Sequence, residues 1–114
     1  RRFSHVAKRE VHLTRNQKVM KDMVSGSTPK GFESFSPNEK PFKIKNKLEL
    51  KLVSLLKGQG LTGFVYNVSN HTTKTQKLTR NLFANKKLKA ISISEKSLKP
   101  NQTAYVFSLL STLA

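Results

Sequence analysis

Lys47-Leu48-Glu49-Leu50-Lys51-Leu52 alternates charged and apolar side chains without a break. Strand side chains project to opposite faces with a period of two, so this stretch specifies a half-buried β-strand. The strand runs on through Val53-Ser54-Leu55-Leu56 and ends at a turn, Lys57-Gly58-Gln59-Gly60. Leu61 to Ser69 follows, with Phe64, Tyr66 and Val68 on one face, and closes on the polar turn Asn70-His71-Thr72-Thr73. Gln76 to Phe83 is a weaker strand whose apolar points are Leu78, Leu82 and Phe83. After the turn Asn85-Lys86-Lys87, Leu88 to Ser94 alternates through Ile91 and Ile93. Leu98-Lys99-Pro100-Asn101-Gln102 carries Pro at an early turn position, and Thr103 to Ser111 forms the last strand, with Tyr105, Phe107 and Leu109 on one face. About five strands in roughly 65 residues, joined by short turns, is the spacing of an antiparallel β-sandwich or partly open barrel.

Towards the N-terminus the period changes. Thr14-Arg15-Asn16-Gln17 fits a capping box, and Val19, Met20, Met23 and Val24 recur at helical spacing. Gly26 and Pro29 then stop the helix, with Gly26 suited to a left-handed C-terminal position. An amphipathic helix this short needs a larger surface to pack on. Residues 25–47 are expected to form a long connection, punctuated by Gly26, Pro29, Gly31, Pro37 and Pro41, with Phe32, Phe35 and Phe42 tucked onto the core as anchors. Residues 1–13 are expected to be an extended lead-in, and 14–114 one mainly β domain with a single short N-terminal helix.

The 114 residues include 22 Lys+Arg and 6 Asp+Glu, a formal charge of +16. Such a charge favours anionic partners: nucleic acid, lipid headgroups or an acidic protein. Lys accounts for 17 of the 22, and base readout depends mainly on the planar fork of Arg. The basic residues are spread along the chain, with short clusters at Lys43, Lys45, Lys47 and at Lys86, Lys87, Lys89, and no nucleic-acid reading motif accompanies them. A nucleic-acid-binding β domain is therefore the alternative reading, and Lys86, Lys87 and Lys89 are its candidate anionic-surface residues.

Having no Cys, the chain has neither a disulfide framework nor a cysteine nucleophile. No apolar run approaches the roughly 20 residues of a membrane-spanning helix. His5, His12 and His71 lack the neighbours that ligand spacing requires, and the six acids stand apart among lysines, so no metal, cofactor or paired-carboxylate site is expected. Gly58-Gln59-Gly60 with Gly63 spells G-x-G-x-x-G, but a strand follows where a dinucleotide site needs a helix. With no Gly-x-Ser-x-Gly elbow either, no enzymatic activity is expected. Asn-x-Ser/Thr sequons stand at Asn67, Asn70 and Asn101, as chance allows in a chain rich in these residues.

The order of segments carries a resemblance. A helix leads into Met23-Val24-Ser25-Gly26-Ser27-Thr28-Pro29-Lys30-Gly31-Phe32 and then a Leu-rich strand. Gly63-Phe64-Val65-Tyr66-Asn67-Val68-Ser69-Asn70, Leu82-Phe83 and Lys89-Ala90-Ile91-Ser92-Ile93 follow, and the last segment is Leu98-Lys99-Pro100-Asn101-Gln102-Thr103-Ala104-Tyr105-Val106-Phe107. Over roughly residues 14–110 this resembles the C-terminal domain of TraK, the outer-membrane component of F-type conjugative type IV secretion systems. The chain departs from that pattern at Asn85-Lys86-Lys87, where relatives often carry Pro-Gly, and at Asn101, where they often carry Gly. The resemblance implies a β-sandwich in a ring of identical subunits, a structural part of the outer-membrane core complex without catalysis. It further implies binding of a TraV-like outer-membrane lipoprotein and a TraB-like channel scaffold, and a periplasmic, outer-membrane-associated location with the chain as the C-terminal part of a longer exported protein. The weak strand at 76–83 is expected to be an edge that takes up a partner segment, with Leu78, Leu82 and Phe83 as partner contacts and Leu82 and Phe83 pointing to opposite faces. A third reading is a secreted sandwich module such as an adhesin or chaperone.

Overall fold

The alternating stretch becomes the long strand β3 (Leu48–Gly58) of an open antiparallel sheet. The computed structural model describes residues 14–44 and 48–112; the expected lead-in, 1–13, lies outside them. The described chain runs α1 (Arg15–Ser25), β1 (Glu33–Phe35), β2 (Phe42–Ile44), β3, β4 (Leu61–Asn70), β5 (Gln76–Lys77), a 3-10 turn (Arg80–Phe83), β6 (Leu88–Ile93), β7 (Ser97–Leu98) and β8 (Thr103–Ser111). The main sheet has the order β1-β3-β4-β8-β6, with β2 also on β3, and β5 and β7 form a separate two-stranded ribbon. Among the described residues the fold is mainly β and sandwich-like, with one α-helix and no closed barrel.

Two expectations change. Residues 25–47 are not one connection, because β1 pairs with Leu55–Lys57 and β2 with Leu48–Leu50, both along the same edge of β3. Gln76–Phe83 is not one strand. Only Gln76–Lys77 pairs, with β7, and the chain then coils into the 3-10 turn.

The β3–β4 hairpin turns through Gln59 and Gly60, with φ of 52° and 75°. Positive φ at both central residues matches the twist of the flanking strands. Helix α1 starts as expected: the Thr14 hydroxyl accepts from the Gln17 amide at 3.1 Å, and the Gln17 side chain accepts from the Thr14 amide at 2.8 Å. Gly26 closes the helix at φ 86°.

A bulge in β3 organises the core. Leu52 pairs with Tyr66 and Ser54 with Val65, so Val53 is an extra residue and the alternation changes phase there. Leu48, Leu50 and Leu52 therefore share one face with Tyr66 and Val68, whereas Leu56 lies on the opposite face with Val65. Paired register carries the same division into β8 and β6, with Ala104, Val106, Ile91 and Ile93 on the first face and Phe107, Leu109 and Ala90 on the second. The two buried clusters follow it. On the second face, Leu56, Leu61, Val65 and Leu109 are covered by Val19 and Met23 of α1 and by Phe32. On the first, Leu48, Leu50, Val68, Ala104 and Val106 are covered by Leu78 and Leu98 of the ribbon layer. The two covers sit at opposite ends of the sheet: α1 near the β3–β4 turn, the ribbon near Leu48 and Asn70.

Candidate docking surfaces

The described residues thus cover each face of the sheet only in part. On the ribbon face, the cover stops short of the hairpin end. Paired register lines up Phe35, Leu55 and Phe64 there, beside Tyr66 and, across Leu50, Phe42. Phe35 and Phe42 are 43% and 46% exposed, so they are not the tucked anchors the sequence suggests. Phe64 stacks nearly parallel to Tyr66 at 6.0 Å between centroids, and Phe42 meets Tyr66 edge-on at 6.2 Å. The rings of Phe42, Phe64 and Tyr66, with Phe83 and Leu110, line a groove of about 340 Å³, and Phe35 stands outside it. The Lys57 ammonium lies 5.9 Å from the centre of the Phe35 ring, a cation over an aromatic face. Burial, and secondarily the negative charge of Glu39, raises the Tyr66 phenol above its ordinary value, so Tyr66 stays neutral at physiological pH.

The helix face has its own opening. Val24 of α1, Ser54 of β3 and Tyr105 and Phe107 of β8 border a shallow groove of about 320 Å³, with the Tyr105 and Phe107 rings 6.2 Å apart.

The sequence-derived contact residues are placed as follows. Leu78 is 5% exposed and lies in the core cluster with Leu98, so it anchors the ribbon layer and is closed to a partner. Leu82 and Phe83 do not point to opposite faces: both pack against that same cluster, because a 3-10 turn lacks the two-residue period of a strand. Phe83 still forms one wall of the aromatic groove. Lys86, Lys87 and Lys89 are exposed where the chain enters β6, held by an Asn85 side-chain oxygen on the Lys87 amide at 2.8 Å. Sequence reasoning missed Phe35, Phe42 and Leu110 as surface features. Their exposure depends on how far the second layer extends, and strand periodicity does not encode that.

Of the residue types that carry chemistry, His71 meets Glu49 at 3.1 Å on the surface, and among the described residues no three His, Asp or Glu side chains converge as a metal site. The G-x-G-x-x-G letters form the hairpin turn and the start of β4.

The fold is a sandwich-like β module whose described second layer leaves an aromatic groove open beside it. The chain belongs to the TraK C-terminal domain family, whose model matches it over residues 9–108. The family places it among the components of conjugative type IV secretion. No curated protein sequence matches the chain.

Proposed function

We propose that this domain is a ring-forming structural subunit of the outer-membrane core complex of a conjugative type IV secretion apparatus. In this reading it sits in the periplasm against the outer membrane and performs no catalysis. It binds a TraV-like lipoprotein, a segment of a TraB-like channel scaffold and copies of itself. The observation that carries the reading is the open aromatic half of the ribbon face, in a chain of this family. A contiguous apolar surface next to a finished core is where a partner completes the second layer. Leu82 and Phe83 pack at the border of the ribbon layer, and Phe83 becomes the near wall of that contact.

The test uses exposed rings whose loss leaves the core intact. Phe35→Ser and Phe42→Ser are each expected to fold with native circular dichroism, yet to lose co-purification with the lipoprotein and assembly into rings. Wild-type-like assembly of the double variant would sink this use of the surface.

A further inference from the structure

The outer side of the ribbon layer is basic and, among the described residues, carries no exposed large apolar side chain. From residue 71 to 102 the chain carries eight basic residues against one acid, Glu95; five of them, Lys74, Lys77, Arg80, Lys96 and Lys99, belong to the ribbon layer and its 3-10 turn, a balance of +4 there, whereas Lys86, Lys87 and Lys89 lie towards the hairpin end, beside Ser111 and Gly60. All eight are exposed. None of the exposed large apolar side chains (Val24, Phe35, Phe42, Val53 and Tyr105) lies in that segment. The apolar members Leu78, Leu82, Phe83 and Leu98 all turn inward onto the sheet.

Local geometry gathers four of the lysines. Lys77 pairs with Ser97, and the Leu78 amide donates to the Lys96 carbonyl at 2.9 Å. Lys77 and Lys99, next in sequence to the inward Leu78 and Leu98, project outward. The Asn70 side-chain amide donates to the carbonyls of Lys74 at 2.8 Å and Leu98 at 2.9 Å, which brings the backbones of Lys74 and Leu98, the residue before Lys99, to one point. The Lys99 amide is held by the Gln102 side chain at 2.8 Å. The ammonium groups thus extend from a backbone already ordered by hydrogen bonds, so binding does not have to order it.

We propose that this surface is a docking face for an anionic lipid headgroup surface. Three observations select that partner. The cations of the ribbon layer are four Lys and one Arg, point charges suited to a diffuse anionic field and not to bidentate readout. No Phe or Tyr of residues 71–102 is among the exposed rings, so bases of a single strand find no such ring to stack on. It also presents no apolar anchor, which a protein partner would use as its hot spot.

The test is co-sedimentation of the full chain with vesicles of equal phosphatidylglycerol and phosphatidylcholine, or of phosphatidylcholine alone, at about 100 mM salt. The chain is expected to bind the anionic vesicles and not the neutral ones. The double variant Lys77→Gln, Lys99→Gln is expected to bind roughly 25-fold more weakly. The double variant Lys18→Gln, Lys21→Gln on α1 removes the same charge elsewhere and is expected to stay within about threefold of wild type. Equal losses in the two variants would show diffuse charge and overturn the proposal, as would no binding to anionic vesicles. Tighter binding to a single-stranded oligonucleotide, lost in the first variant alone, would overturn it in favour of nucleic acid.

Discussion

Asn70 is the most constrained polar residue of the molecule. It is fully buried at the end of β4, and its side chain donates to Lys74 and Leu98 while its oxygen accepts from the Thr72 amide at 2.9 Å and hydroxyl at 2.7 Å. Its own amide and carbonyl bond Gln102 at 3.1 Å and Asn101 at 2.7 Å. Asn70→Ala strands several of these groups away from water, and a loss of about 3 kcal/mol is expected in urea unfolding. Asn70→Asp keeps the acceptors but loses both donors, so it too is expected to destabilise. Two glycines separate crowding from conformational strain. A Cβ on Gly58 would strike the Gly31 carbonyl and lie 2.9 Å from the Phe32 Cα, a backbone that cannot yield, whereas one on Gly26 meets nothing within 4 Å. Gly58→Ala is therefore expected to cost about 2–3 kcal/mol. Gly26→Ala bears only the left-handed strain, about 1 kcal/mol. Thermal unfolding of the two variants ranks them, and the reverse order would refute the packing argument. Tyr66 supplies a pH test. Its phenol titrates higher folded than unfolded, so the folded state holds its proton longer, and the stability this adds is present below pH about 10 and lost as pH rises through the folded value. Tyr66→Phe is expected to flatten the fall of melting temperature between roughly pH 9 and 11 relative to wild type.

At the scale of elements, α1 was legible and the bulge was not. The helix announces itself through Thr14, Gln17 and Gly26, because caps are local hydrogen-bond chemistry within a few residues. Its stability is tertiary: Val19 and Met23 bury on the sheet, and Met23 sits over Gly63, where a Cβ would come within 2.8 Å of the Met23 methyl. Met23→Ala is expected to cost about 3 kcal/mol, read by chemical unfolding, and to loosen α1 selectively. In β3 the leucines at 48, 50, 52 and 56 look like one face of one strand. The bulge at Val53 sends Leu56 to the other, and only pairing with β4 reveals it. The segment 76–83 has the same lesson. Leu78, Leu82 and Phe83 all bury on one cluster, which neither strand nor helix period would give, because a short ribbon and a 3-10 turn follow the sheet surface under them.

For the whole molecule, the division into two partly covered faces sets where order and openness lie. β4 and β8 contribute buried side chains to both clusters, whereas β1 and β2 are short and exposed to partly exposed. Amide hydrogen exchange is expected to be slowest in β4 and β8 and fastest in β1 and β2. Equal protection across the sheet would contradict the layered account. The charge of +16 is likewise a property of place: the ribbon layer and its 3-10 turn gather a balance of +4, while the aromatic groove beside the same layer is apolar.

By itself the sequence determined the capped helix, the strands β3, β4, β6 and β8 with the turns between them, and a family pattern in their succession, but not β1, β2 or the ribbon. These depend on contacts within a few residues, where periodicity and turn chemistry act directly. The tertiary structure alone decided which leucines share a core, that Leu78 is an anchor, and that Phe35 and Phe42 stand in the open. The physical reason is that burial is a relation between distant segments. One extra residue in β3 reverses the facing of everything after it, and a second layer that ends partway leaves exposed the same kinds of side chain that it buries elsewhere.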